Sequence, residues 1–173
     1  MSNVIILSSN ANHIKQKERF LVMKFFTVSF FGHRELYDIR KLDEFLTPIL
    51  KKILQTMDYT TFLIGRNGEF DEYVASLIKR TRNELKIHNS ELTLVLPYSV
   101  KDIEYYEEYY DGIVVPAELH GAHPKSAITL KNRWMVERSD LVIVNVEREN
   151  GGAYNAMQHA IKMRKRVINI VTL

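Results

Sequence analysis

Most of the strand-forming stretches of this chain, at residues 25–31, 61–64, 92–96, 113–115, 141–146 and 167–171, are continuous apolar runs. A strand with one wet face alternates apolar and polar residues, whereas a strand covered on both faces need not. These runs therefore predict strands of a parallel sheet held between two helical layers. The segments between them have helical spacing. Leu42, Phe45, Leu46, Ile49, Leu50, Ile53, Leu54 and Met57 recur at intervals of three and four and define one buried face. Pro48 interrupts that face, which predicts either a kink or a helix whose regular part begins with Thr47 as cap and Pro48 in the first turn. Tyr73, Val74, Leu77, Ile78 and Leu85 give a second helix, residues 128–138 a third, and Tyr154, Met157, Ala160 and Ile161 a fourth. Such alternation predicts an α/β, Rossmann-like three-layer sandwich with a mostly parallel sheet.

The 173 residues suit one domain with a sizeable core. Residues 23–173 are read as that domain. Residues 1–22, with an apolar patch at 3–7 and a polar stretch at 8–19, are read as an N-terminal extension from an upstream start codon that folding does not need. The absence of cysteine excludes disulfides, thiol catalysis and cysteine-ligated metal. No apolar stretch has the length of a membrane span and no signal-peptide pattern is present, so the expected location is the cytoplasm. Lys and Arg number 24 against 21 Asp and Glu, a balance of only +3, and the densest basic cluster, residues 162–166, is assigned to the last turns of a helix, where cations suit the dipole. Nucleic acid is accordingly not an expected partner.

Ligands of open α/β sheets bind beyond the carboxyl ends of the strands, and the residues that follow each strand here are polar and varied. Gly32-His33-Arg34 follows the first strand, Gly65-Arg66-Asn67-Gly68-Glu69-Phe70-Asp71 the second, Pro97-Tyr98 the third, and Gly151-Gly152-Ala153-Tyr154 the fifth. The last of these opens a helix, and a glycine turn at a helix start lets unpaired N–H groups approach an anion; it also serves as a plain strand-to-helix turn. Arg34 and Arg66 supply planar forks that match phosphate oxygens, or else surface ion pairs. Asn67, Glu69 and Asp71 offer partners for ribose hydroxyls, with Glu69 and Asp71 as candidate general bases and helix capping the alternative for Asp71. Residues 102–111 place Tyr105, Tyr106, Tyr109 and Tyr110 among carboxylates and read as a surface helix or lid, its rings laid on the sheet or, alternatively, stacked on a base. No G-x-G-x-x-G, Walker lysine or G-x-S-x-G pattern occurs, and His33 and His123 lack a metal-binding spacing, so neither cofactor nor metal is expected.

The ordered set Phe31-Gly32-His33-Arg34, the loop at residues 65–71, Val95-Leu96-Pro97-Tyr98, Asn132-Arg133-Trp134-Met135-Val136 ahead of Ser139-Asp140, and Gly151-Gly152 resembles the SLOG superfamily. That group joins the DprA/Smf proteins to the LOG cytokinin-activating enzymes, and the likeness is greatest to its small single-domain bacterial branch. The resemblance spans about residues 25–170. It implies a Rossmann-like fold, often in a homo-oligomer, that binds a nucleotide or nucleotide-derived ligand. The expected role is a sensor, with phosphate at Gly151, Gly152 and Ala153 and with Arg34, Arg66 and Arg133 around it. The alternative is a nucleoside-monophosphate phosphoribohydrolase of LOG type. Those enzymes resemble the chain at Arg133 and at the glycine turn but place a catalytic glutamate shortly after the glycines, where this chain has Tyr154-Asn155-Ala156-Met157-Gln158. Loss of that acid–base group would cost about 100-fold or more unless Glu69 or Asp71 replaced it.

Overall fold

The computed structural model describes residues 23–172 apart from Tyr37, Asn67 and Asp102, so the extension expected at residues 1–22 and the site candidate Asn67 lie outside the described residues. Strands β1 (Phe25–Gly32), β2 (Tyr59–Ile64), β3 (Ser90–Val95), β4 (Gly112–Val114), β5 (Leu141–Asn145) and β6 (Arg166–Asn169) form one sheet in the order β4-β3-β2-β1-β5-β6. Every neighbouring pair is parallel, as the unbroken apolar runs require.

Helices α1 (Ile39–Thr56) and α2 (Glu69–Leu85) cover one face, where Val28, Phe30, Phe62, Ile64, Leu92 and Leu94 join Leu46, Leu50, Val74 and Ile78 in the larger core. Helices α4 (Pro124–Arg138) and α5 (Gly151–Lys162) cover the other, where Phe31, Leu63, Val95, Val142 and Val144 meet Met135, Val136, Ala156 and Ala160. Adjacent residues such as Phe30 and Phe31 thus serve opposite layers.

Pro48 does not begin α1. The helix runs through it, with Pro48 on the exposed side while Leu42, Leu46, Leu50, Ile53 and Leu54 are buried. Burial of that face overrides the proline's cost. The true start is capped by Asp38, whose side chain accepts the Lys41 N–H at 3.0 Å. The basic cluster at residues 162–166 leaves its helix early: α5 ends at Lys162, Arg164 takes a left-handed φ of 55°, and Arg166 opens β6. In the tyrosine-rich stretch only Ile103–Glu107 is helical (α3); Tyr106 and Tyr110 pack against the larger core, and Tyr105 and Tyr109 are exposed.

Two aspartates fasten the amino ends of the strands. Asp58 accepts the Lys24 N–H at 2.7 Å and returns its own N–H to the Lys24 carbonyl at 3.1 Å. Asp140 does the same with Thr27, at 2.8 Å in both directions. At the opposite end of β1, Gly32 is required by packing, since a Cβ there would stand 2.2 Å from Cγ of Phe70, a ring only 1 % exposed. Gly32→Ala should therefore destabilise the fold by about 1–3 kcal/mol. Chemical denaturation is the measurement, and Phe70→Leu should cost less in that background than alone.

Candidate functional site

The chain steps outward from β1 through β2 and β3 to β4, then returns to lay β5 against the free side of β1. The connections leaving β1 and β5 consequently run to opposite faces, and a crevice opens beyond their carboxyl ends. It measures about 340 Å³, and its walls include Gly32, His33, Arg34, Gly65, Gly68, Asp71, Ile128, Lys131, Asn132, Gly151, Gly152 and Ala153.

One wall is the first turn of α5. Gly151 has φ 88°, a conformation open to glycine, and the preceding Asn150 makes no side-chain cap, so the helix presents its first N–H groups to the cleft. The amide of Asn132, itself 9 % exposed, lies beside this turn, with Nδ2 3.6 Å from where a Cβ on Gly152 would stand. His33 ties the two loops together: its Nε2 accepts the N–H of Glu147 at 3.2 Å and that of Arg148 at 3.5 Å. As an acceptor there, the neutral ring carries its proton on Nδ1.

The opposite wall holds a residue that sequence reasoning missed. Lys131 is 3 % exposed, and a Cβ placed on Gly65 would find Lys131 Nζ and Asp71 Oδ2 each at 2.8 Å. Burial pushes the Lys131 ammonium below its ordinary value, and the Asp71 carboxylate pulls in the other direction. No hydrogen bond to its Nζ is seen among the described residues, so the charge of Asp71 is what acts on it. The signal was present in the sequence. Ala127, Lys131 and Met135 stand four apart on α4 and are all buried, and a lysine within such a row is out of place unless the interior needs it.

Other candidates are placed elsewhere. Arg66 turns away along the sheet edge, donating to the Tyr106 hydroxyl with its guanidinium carbon 5.1 Å from that ring's centre. Glu69 braces the loop after β1: its carboxylate accepts the Leu36 N–H at 2.9 Å while its own N–H reaches the Arg34 carbonyl at 2.8 Å. Arg133 is on the exposed side of α4 and does not line the cleft. Pro97 is buried, Tyr98 is exposed, and Tyr154 packs against the smaller core. Asp71 lines the cleft from the first turn of α2, whose cap position is Gly68.

An all-parallel sheet of this order, with a cleft at the carboxyl edge beside a glycine-started helix, gives the chain a Rossmann-like fold. Among solved structures it is similar to DNA processing protein A (DprA) from Streptococcus pneumoniae, with a TM-score of 0.55 at 15 % identity over 83 % of this chain and 49 % of that one. It is likewise similar to DprA from Helicobacter pylori, with a TM-score of 0.54 at 13 % identity over 83 % of this chain and 64 % of that one. The chain thus spans about half to two thirds of the length of these neighbours. No protein-family model matches the sequence, and no curated protein does.

The expectation that nucleic acid is not a partner is corrected by this likeness, because the Helicobacter pylori protein is described by its mode of binding single-stranded DNA. A balance of +3 is a weak basis for that expectation for a physical reason. Net charge averages over the whole surface, whereas a strand or nucleotide meets one cleft, and this cleft collects Arg34, Lys131 and a helix N-terminus. Among the described residues, no helix is long and apolar enough to cross a membrane.

Burial of Lys131 has a measurable cost. Because its folded value lies below the unfolded 10.5, the unfolded chain holds more protons between the two, and stability rises with pH across that window. Lys131→Met should unfold at a higher temperature than the wild type at neutral pH, with the difference shrinking as pH rises toward 10.5. Thermal melts of both proteins across that range check the sign.

Proposed function

We propose that this chain binds a nucleotide unit in the cleft at the switch point, with phosphate on the first turn of α5 beside Arg34 and the sugar directed toward Asn132, Asp71 and Lys131. One observation carries the reading: Lys131, a largely buried residue whose amine makes no hydrogen bond among the described residues, lines a cleft whose other wall is an uncapped helix start. An amine with a buried stem at the edge of a cleft is placed to donate to a ligand, and a helix start favours an anion. A volume of about 340 Å³ suits a small ligand of nucleotide size.

Two carriers present the same group. A free nucleotide fits the walled volume and a sensing role. A single strand fits the cleft's open side and is what the Helicobacter pylori neighbour binds. Hydrolysis of LOG type has less support. Residues 154–158 hold no carboxylate and Glu69 is engaged by Leu36, leaving Asp71 as the carboxylate that lines the cleft.

Fluorescence anisotropy with a labelled single-stranded oligonucleotide, and thermal shift with nucleoside monophosphates, test the site and separate the carriers. The diagnostic variant is Gly152→Asp, because a Cβ there comes within ordinary contact of the Asn132 amide, at 3.6 Å, and the fold should survive. It sets a carboxylate against the anion position and should weaken binding at least tenfold. A strand as ligand should also lose affinity steeply with added salt. Equal binding by wild type and variant would remove the phosphate from this helix start.

A further inference from the structure

The two walls of the cleft differ in chemistry, and the difference bears on more than affinity. The α5 wall offers backbone N–H groups and the Asn132 amide, which suit a phosphate. The wall beyond Gly65 offers the Lys131 amine with the Asp71 carboxylate next to it, both on the lining of the cleft. Gly65 follows β2 and α5 follows β5, with β1 between, so the walls stand two strand spacings apart, roughly 9–10 Å. Once contact distances at both ends are allowed for, a group bound by phosphate at α5 presents the far side of its sugar to Lys131.

A lysine that only neutralised phosphate would gain from exposure and from freedom to rotate. This one has neither. Its stem is fixed in the row Ala127, Lys131, Met135, and Asp71 lines the cleft beside it. Burial disfavours the charged form of an amine and so favours its attack on carbonyl carbon, while a carboxylate beside it, which opposes that shift, is placed to take the proton the amine must lose.

Resting on the nucleotide-site reading above, we propose that Lys131 forms an imine with the C1 aldehyde of a ring-opened sugar phosphate, carried either by an abasic nucleotide in a single strand or by a free aldose 5-phosphate. The Nζ lone pair attacks C1 as the C=O π bond opens onto oxygen, and Asp71 takes one N–H proton and passes it to that oxygen, giving a neutral carbinolamine. A second proton, from solvent, lets the hydroxyl leave as water and leaves a protonated C=N bond, with no change of oxidation state. Burial, which lowers the amine's proton affinity, keeps more of it in the attacking form at neutral pH than an exposed lysine would have.

The test is reductive trapping on the full chain at pH 7. The protein is incubated with sodium cyanoborohydride and either an abasic single-stranded oligonucleotide or ribose 5-phosphate, and the adduct is mapped by peptide mass spectrometry. A single adduct on Lys131, reduced at least tenfold in Lys131→Met, is the expected result, and the substrate that yields it identifies the carrier. Denaturation of the variant alongside shows that it is folded. Binding of the oligonucleotide by anisotropy without any adduct, or with labelling scattered over surface lysines, would overturn the imine and leave the nucleotide site standing. Absence of both binding and adduct would overturn both.

Discussion

The geometry at the top of this sheet depends on one aromatic ring lying where a side chain at the end of β1 would otherwise be. Phe70 fills the space above Gly32 and is almost wholly buried. The ring anchors the first turn of α2 against β1, and three neighbours follow from that anchorage. Gly68 comes to lie against the backbone of Arg34, Glu69 exchanges hydrogen bonds with the Arg34 and Leu36 backbone, and Asp71 is carried to the cleft. A larger residue at position 32 would lift the helix start and separate all three. The glycine after β1 is thus explained by packing, while that at position 151 is explained by its backbone conformation.

Those two explanations bear on how far the sequence could be read. The parallel sheet was legible because continuous apolar runs have one natural home, between two helical layers. The switch point was legible in outline, since polar turns after the first, second and fifth strands had to gather along one edge. Side-chain direction was harder. Arg34 and Arg66 follow glycines in similar turns, yet one lines the cleft and the other packs on Tyr106, a partner forty residues away that no local pattern announces. Asn132 and Arg133 are adjacent on a helix, so about 100° of rotation separates them, and only the first faces the cleft. Lys131 escaped notice because lysine is normally read as surface, although its helical row said otherwise.

Charge offers a parallel lesson. A chain of nearly balanced composition still has a strongly polarised site, because three sources of positive potential lie close together there: a guanidinium, a buried amine and a helix end. Asp71 is the carboxylate that shares this lining, and several other acidic residues lie on the tyrosine-rich segment around α3. The fold the chain shares with DprA likewise depends little on residue identity, since identities of 13–15 % leave few residues in common.

The aspartates at the base of the sheet act where no ligand is expected. Asp58 and Asp140 each close a two-way clasp with the start of β1, so this central strand is gripped from both sides at its amino end. Among the described residues its carboxyl end has no such aspartate clasp, and it finishes in a loop held through His33 and Glu69. The clasps at the base are thereby separate from the ligand-side rim, so that loops at the rim can change length or composition without touching the foundation, and new specificities can be acquired there at little risk to the fold.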